Sequence, residues 1–296
     1  LVVKEKPLHL GIILKEKNEL GKNALKRKKR MIAQYEVYAI KYAGVTKKES
    51  DNFIYNDKHD IDMDLDFFIW VIRHQDKVWL VDLGFGIEEA KRRNRKLIHT
   101  IDSALQLINI DYLSIEHVII THMHFDHVGN LEYFPKAKFY LQDAEMNFAT
   151  GRYMCHSCIA QPFNVQDVMQ MVNKVHQGHV NFIDGNKEIA PGISLHKVGG
   201  HTGGLQVVRV HTERGWVVLA SDASHFYRNK MEKNPYPIVF NIGEMMEGFD
   251  LLEELASSSD HIIPGHDPDV LKNYPHSDLS LSHHVAVLHQ APKNSV

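Results

Sequence analysis

The sequence contains little cysteine and no long hydrophobic run. Its 296 residues include two cysteines, Cys155 and Cys158, which are too few for a disulfide framework. No apolar run approaches the roughly 20 residues that a membrane-spanning helix requires. These absences argue against a disulfide-stabilised scaffold and against a membrane span, and we predict a cytoplasmic protein.

The sequence also lacks an excess of charge of either sign. Lysine and arginine total 34, aspartate and glutamate total 37, and the formal net charge is −3. A global basic field, which would attract nucleic acid, is therefore missing, and no nucleic-acid partner is expected. Hydrophobic residues make up 44% of the chain, which is enough for the core of one large domain.

The first 34 residues differ from the rest of the chain. Basic residues cluster at positions 26–30, directly before Met31, and a mildly apolar segment precedes them. A secretory signal has the opposite order, so none is predicted. A basic tail could contact nucleic acid or an acidic membrane, but we interpret residues 1–34 as a poorly ordered extension. Residues 35–296 are then predicted to form a single domain.

Hydrophobic patterns predict the main elements of that domain. Residues 35–42 alternate and indicate a first strand, whereas residues 47–66 are polar and acidic and indicate a loop. Residues 143–178 are predicted to be mostly helical. The tail from Pro275 is predicted to form a solvated terminal helix.

Histidine is abundant, with 21 residues, and ligand-type side chains concentrate in one loop. Residues 121–130 read THMHFDHVGN and follow an apolar, strand-like run. Imidazole and carboxylate are the usual protein ligands of zinc and similar divalent ions. The spacing therefore predicts that His122 and His124 face one ion, and that Asp126 and His127 face a second. The alternative is a polar loop with solvated histidines.

Three more ligand-type residues each follow a strand-like segment. His201 lies in GGHTGG, Asp222 follows WVVLAS, and His266 lies in IIPGHD. Loops that follow strands gather at one edge of a sheet, so these side chains are expected to complete the site.

The chain resembles the metallo-β-lactamase superfamily in four motifs and in their order along the sequence. They are H-x-H-x-D-H, G-H-T-x-G, S-D after a strand, and P-G-H-D. The resemblance extends from about Tyr35 to about Tyr274. It implies an α+β fold, a four-layer αβ/βα sandwich in which two sheets face each other and helices cover the outside.

The same resemblance implies a dinuclear metal centre. One ion would be held by His122, His124 and His201, the other by Asp126, His127 and His266, with Asp222 bridging both. These nitrogen and oxygen ligands fit two divalent ions, first of all Zn²⁺, with iron, manganese and cobalt as alternatives. The implied chemistry is hydrolysis by a metal-bridging hydroxide, after which Asp126, Asp222 or a bound water returns a proton to the leaving group.

Asp82 begins the segment DLGFG after a predicted strand. In the resembled family an aspartate at this place orients a ligand histidine, because a ligating imidazole needs an acceptor for its other N–H. The alternative is an N-cap for a helix over residues 84–90, and both roles could hold.

Within the superfamily the chain is most similar to the N-acyl homoserine lactonase branch, including the pyridoxolactonases. A flavodiiron-type protein would carry glutamate at His124, and class B β-lactamases lack the bridge that Asp222 supplies. The short run from Asp222 to His266 leaves no room there for the inserted domain of the superfamily nucleases. A glyoxalase II would need a helical domain beyond His266.

This branch implies a small lactone substrate, either an N-acyl homoserine lactone or a related lactone. Two alternatives remain open: another hydrolase of this fold, acting on a phosphodiester, sulfate ester or amide, and a metal-binding protein without turnover. A homodimer is compatible with the sequence.

The chain departs from that branch at one position. A tyrosine commonly lies three residues after the bridging aspartate and hydrogen-bonds the lactone carbonyl, whereas this chain has His225 there. Tyr227 follows closely. Either side chain is a candidate donor to the oxyanion of the reaction.

Large apolar side chains precede the predicted helical stripe. Phe148, Met154 and Phe163 are expected to cover the metal site and to shape an apolar substrate pocket. Cys155 and Cys158 are interpreted as reduced cysteines packed near that pocket, with a separate metal or redox site as the alternative.

Overall fold

A computed structural model describes residues 32–55, 60–276 and 278–293. Contacts divide the chain into two units, Leu1–Ile32 and Ala33–Val296, and the fold lies in the second. The predicted poorly ordered extension falls almost entirely outside the described residues and stays a prediction.

The strands of the described chain form two sheets. In chain order they are β1 (Glu36–Lys48), β2 (Asp62–His74), β3 (Lys77–Val81), β4 (Lys96–Leu97), β5 (His117–Ile119), β6 (Lys138–Gln142), β7 (Val180–Ile183), β8 (Lys187–Ala190), β9 (Ile193–Lys197), β10 (Gln206–Thr212), β11 (Gly215–Ser221), β12 (Ile262–Pro264) and β13 (Val285–Val287). The larger sheet has the order β13-β1-β2-β3-β5-β6-β7, with β4 also paired to β1, and the smaller has the order β12-β11-β10-β9-β8.

Short helices connect these strands. They are α1 (Ile87–Arg92), α2 (Ile101–Gln106), α3 (Phe125–Val128), α4 (Asp143–Thr150), α5 (Ser157–Ala160), α6 (Val165–His176), α7 (Tyr227–Met231), α8 (Ile242–Leu255) and α9 (Asp269–Asn273). None of the helices in the described ranges is both long and apolar enough to traverse a lipid bilayer.

Three apolar clusters lie between the successive layers. Side chains alternate between the two faces of β2, so that Phe68, Trp70 and Ile72 point toward the smaller sheet. Their neighbours on the opposite face, such as Ile69, pack with the helices that cover the larger sheet. A third cluster joins the smaller sheet to α8 through Phe249. The predicted four-layer αβ/βα sandwich is confirmed.

Two predicted boundaries were wrong. The acidic loop over residues 47–66 is shorter, because β1 and β2 continue to pair as far as Lys48 opposite Asp62. The ammonium of Lys48 lies 2.6 Å from the Asp62 carboxylate, and such opposite charges stabilise a cross-strand pair. The tail from Pro275 is not a helix, since β13 adds there to the edge of the larger sheet beside β1.

Candidate metal centre

The site lies where segments from both sheets meet. Strands β3 and β5 are parallel neighbours in the larger sheet, and β11 and β12 are parallel neighbours in the smaller one. The segments that follow each pair therefore leave their sheet at the same edge. Three of these segments carry ligand-type residues, and His201 comes from the turn before β10.

The seven predicted ligands are brought together in two groups of buried side chains. In each group the candidate ligand atoms lie within 4.8 Å of one another, and the groups are His122, His124, His201 and Asp222, and Asp126, His127 and His266. A further group of the same kind joins Asp222 and His266 to His225, which the sequence did not suggest as a ligand.

The orientation of His266 fits a metal ion. Its Nδ1 atom lies 2.8 Å from the carbonyl oxygen of Asp66, which can only accept, so Nδ1 carries the proton. Its Nε2 atom then presents a lone pair to the Asp222 carboxylate at 3.0 Å. Two electron-rich atoms at this distance repel each other unless a cation lies beside both.

His127 makes a similar pair of contacts. Its Nδ1 atom lies 2.7 Å from Oδ2 of Asp82, and its Nε2 atom lies 3.3 Å from Oδ1 of Asp222. Burial lowers its pKa, but the nearby carboxylates, first Asp222, raise it well above its usual value, so His127 would release a proton when it binds an ion. Two buried imidazole nitrogens beside Asp222, Nε2 of His122 and Nε2 of His127, have no hydrogen-bond partner within the described chain. Buried polar atoms are normally satisfied, so these orphaned nitrogens fit a site that binds metal.

Burial also keeps key imidazoles neutral. It lowers the pKa of His122 and of His124 well below the usual value, and neighbouring histidines lower both further. Burial alone would raise the pKa of Asp222, but the surrounding imidazoles, first His225, lower it well below its usual value. Neutral imidazoles and an ionised carboxylate are the forms that bind a divalent ion.

Asp82 is positioned by a left-handed backbone conformation, with φ of 60°. Its Oδ1 accepts the backbone N–H of Thr121 at 2.8 Å, and its Oδ2 accepts the Thr121 hydroxyl at 2.8 Å and contacts His127. The alternative role as a helix N-cap was wrong, because α1 begins at Ile87 with Gly86 in the capping position.

Sequence reasoning missed Glu145, a buried carboxylate of α4. One oxygen accepts the backbone N–H of Met123 at 2.8 Å, between two candidate ligands. The other accepts the Thr202 hydroxyl at 2.6 Å and the Gly204 N–H at 2.9 Å. Glu145 therefore ties the His122–His124 segment to the His201 turn. A single glutamate in a helical pattern gave no signal of this role.

Gly204 explains how that helix approaches so closely. A Cβ atom at this position would collide with the backbone of Glu145. The glycine that the GGHTGG motif supplies is thus required for the contact rather than for a turn.

A cavity opens over the cluster. Apart from candidate ligands and His225, it is lined by Lys47, Leu65, Phe67, Arg93, Arg95, Phe125, Gln161, Pro162, Tyr236 and Ile238. Its wall thus combines apolar side chains with three basic ones, and most of these residues carried no signal in the sequence.

The three predicted substrate contacts lie outside this lining. The Phe163 ring packs edge-on against His124, with ring centroids 4.7 Å apart. Phe148 packs behind it, at 6.0 Å from the Phe163 ring. Met154 lines a neighbouring cavity together with Phe163.

The two candidate oxyanion donors are placed differently. His225 lines the cavity, and its Nε2 lies 3.0 Å from Oδ2 of Asp222. Tyr227 does not line it; its ring packs with the core between the sheets, and its backbone N–H donates to Asp267. Tyr236, which the sequence did not single out, stacks on His225 with ring centroids 3.7 Å apart and planes 5° apart.

Cys155 and Cys158 are free and exposed, not packed as expected. In the part of the chain that the structure describes, neither belongs to a group of metal-ligand type.

Comparisons with known proteins agree with this architecture. The family model of the metallo-β-lactamase superfamily matches residues 68–282. An N-acyl homoserine lactonase from Bacillus cereus is 31% identical over 146 residues, which are 48% of this chain and 47% of that protein. The chain thus matches about half the length of such relatives.

Solved structures show the same fold. A quorum-quenching N-acyl homoserine lactone lactonase superposes with a TM-score of 0.66 at 21% identity, over 80% of this chain and 94% of that one. The dizinc quorum-quenching lactonase AidC, in complex with a product, superposes with a TM-score of 0.62 at 17% identity, over 80% of this chain and 89% of that one. Because the family model covers well over half of the chain, and the fold and the ligand groups agree with it, this chain belongs to the metallo-β-lactamase superfamily.

Proposed function

We propose that the protein is a dinuclear metal-dependent hydrolase that opens a lactone ring. The observation that carries the proposal is the pair of buried ligand groups: Asp222 belongs to the first, and its Oδ1 lies 3.0 Å from Nε2 of His266 in the second. Relatives that match half of the chain are N-acyl homoserine lactonases, which supports a lactone substrate.

Each group would hold one ion. One would be bound by His122, His124 and His201, the other by Asp126, His127 and His266, and both by Asp222. Two divalent ions, with Zn²⁺ as the first choice, would supply an acidified water and a polarised carbonyl when bound. AidC, which has this fold, is a dizinc lactonase, and this supports the number and the metal.

The protein's own side chains would orient the substrate and move the proton. Tyr236 accepts a hydrogen bond from Lys47, so its own O–H proton stays free to donate to an oxyanion in the cavity. His225 fixes the Tyr236 ring by stacking and contacts Asp222. Asp126 or Asp222 would take up a proton that the attacking water releases and pass it to the leaving alkoxide, and the apolar wall residues would limit the access of further water.

The test is a proton-release assay on purified protein with quantified metal. N-acyl homoserine lactones of several chain lengths and γ-butyrolactone would be compared with a phosphodiester. We expect proton release on lactones and about two ions per chain. Protein with both ions that opens no lactone, or that cleaves only the phosphodiester, would reject the lactonase assignment.

Asp222→Ala should bring turnover to background and lower the metal content, because both groups lose their shared anionic ligand. Asp250→Ala, which removes an exposed carboxylate of α8, is the matched control and should change neither quantity. An Asp222→Ala variant with full activity would refute the dinuclear centre.

A further inference from the structure

Two basic side chains, Lys47 and Arg95, form one wall of the cavity over the metal centre. Lys47 lies near the end of β1, and Arg95 directly precedes β4. Because β4 pairs with β1 at Gly44 opposite Lys96, the chain brings these two cations to the same side of the cavity. The ammonium of Lys47 donates a hydrogen bond to the Tyr236 hydroxyl, and the charge of Arg95 acts to lower the pKa of the same hydroxyl. The Tyr236 ring in turn stacks on His225.

Among the described residues, no carboxylate forms an ion pair with either of these two cations. Arg93 on the same wall, by contrast, pairs with Glu89. The carboxylates whose charges act on Lys47 are Asp51 and Asp126, and Asp126 would be bound to a metal ion. The Lys47 and Arg95 side chains are both half-buried, and burial, followed by the charge of Arg95, lowers the pKa of Lys47.

Arg95 lines the cavity, and its guanidinium has a hydrogen-bond donor that no described residue uses. Its Nη1 donates to the backbone carbonyl of Arg93 at 2.8 Å. Its Nε is buried and has no partner among the described residues. A guanidinium forms strong, charge-assisted hydrogen bonds with a carboxylate, so a cavity wall that contains Arg95 is suited to an anionic group.

We propose that the substrate carries a carboxylate, separate from the ester that is cleaved, and that Lys47 and Arg95 bind it. This inference rests on the proposed lactonase function of the same cavity. With the charges of Asp126 and Asp222 compensated by the ions, the cavity is cationic, and an anionic lactone complements it. A neutral acyl homoserine lactone leaves both cations unpaired and is a poorer substrate.

Pairs of substrates that differ only in charge test the preference for a substrate with a carboxylate. N-succinyl, N-glutaryl and N-adipoyl homoserine lactones would be compared with the same compounds carrying a terminal primary amide, which is neutral and nearly the same size. We expect kcat/KM to favour at least one acid over its amide by roughly ten- to a hundredfold, as for a charge-assisted hydrogen bond. Equal values for every pair would overturn the inference and leave lactone hydrolysis standing.

Variants of Lys47 and Arg95 test whether these two residues cause the preference for acids over amides. Arg95→Gln and Lys47→Met should each reduce the ratio of kcat/KM for the acid to kcat/KM for its amide. Lys48→Met is the matched control, because the adjacent Lys48 faces solvent and pairs with Asp62. A preference that survives both variants would overturn the assignment to these residues.

Binding separates this inference from the proposed function. The ring-opened forms of each acid and amide pair would be titrated calorimetrically into metal-loaded protein, whether or not any lactone is hydrolysed. Tighter binding of the acid, lost in Arg95→Gln but kept in Lys48→Met, supports the carboxylate site even if the reaction class is wrong. Equal affinity within every pair overturns it.

Discussion

The direction of each imidazole in the centre is set by the contact that its other nitrogen makes. His266 is fixed by the carbonyl of Asp66, and His127 is fixed by the carboxylate of Asp82. In both cases the remaining nitrogen points at Asp222. Side chains outside the ligand groups therefore decide whether a lone pair or an N–H faces the ions.

Asp82→Asn tests whether the Asp82 carboxylate orients the imidazole of His127. The amide presents an NH₂ donor where the carboxylate accepts from Thr121 and His127, so His127 would lose its orientation. We expect the ion bound through His127 to bind about 10–100-fold more weakly. Competition with a chromogenic chelator measures the affinity, with Asp76→Asn, in an exposed turn, as the control. Unchanged affinity for both ions would show that Asp82 has no part in positioning.

Tyr236→Phe and Tyr227→Phe distinguish two hydroxyls that lie in different surroundings. Loss of the Tyr236 hydroxyl should raise the barrier by about 2–4 kcal/mol, seen as a fall in kcat with the metal content unchanged. Tyr227→Phe should leave kcat unaltered, because that ring packs with the core between the sheets. If the two results were reversed, the cavity described around Tyr236 would not be where the reaction occurs.

At the scale of elements, α4 links the two parts of the centre. Its Glu145 receives three hydrogen bonds, from the backbone between the first two ligands and from the His201 turn. The helix thus holds a segment of the larger sheet against one of the smaller sheet.

Glu145→Gln should weaken that link. A glutamine has a single oxygen acceptor, so its NH₂ group would face a buried donor that it cannot satisfy. We expect the free energy of unfolding to fall by about 1–3 kcal/mol, measured by urea denaturation. Glu247→Gln, on the exposed side of α8, serves as the control. Equal stability of the two variants would contradict the role of Glu145.

The ligand groups could be predicted from the sequence, whereas the wall of the cavity could not. The two sheets and the ligand groups followed from short motifs and from the family that these motifs resemble, because residues such as His122 and His124 are only two positions apart in the chain. The cavity wall did not follow, because Lys47, Arg95 and Tyr236 meet only through the pairing of β4 with β1 and the return of the segment after α7. The error over residues 47–66 has a similar origin, since charged residues that pair across strands resemble a loop when read alone.

At the scale of the whole molecule, one buried acid that is not part of the metal centre affects stability. Asp167 in the first turn of α6 is 8% exposed and shares a second cavity with Glu89 and Glu132. Burial and, after it, the charges of these two glutamates raise the pKa of Asp167 to about 7. The folded state therefore binds this proton more tightly than the unfolded chain.

This linkage has a definite sign. Asp167 is ionised in the unfolded chain above pH 3.8 but stays protonated in the folded protein up to about pH 7, so stability falls as pH rises through that window. Asp167→Asn should stabilise the protein at pH 8 by on the order of 1–3 kcal/mol and have little effect near pH 4. Thermal unfolding at both pH values measures this, with Asp143→Asn as the exposed control. A constant difference between wild type and variant across the window would contradict the expected titration.

The scarcity of cysteine has a consequence for the lifetime of the folded protein. Both cysteines are free, so no covalent cross-link joins distant parts of the chain. The centre brings together residues that are 77 and 44 positions apart in the sequence, His124 with His201 and Asp222 with His266. Ions bound there as proposed close long loops in the way that disulfides do elsewhere. Metal supply would then govern the lifetime of the folded chain against proteolysis, and a starved cell would lose the protein itself along with its activity.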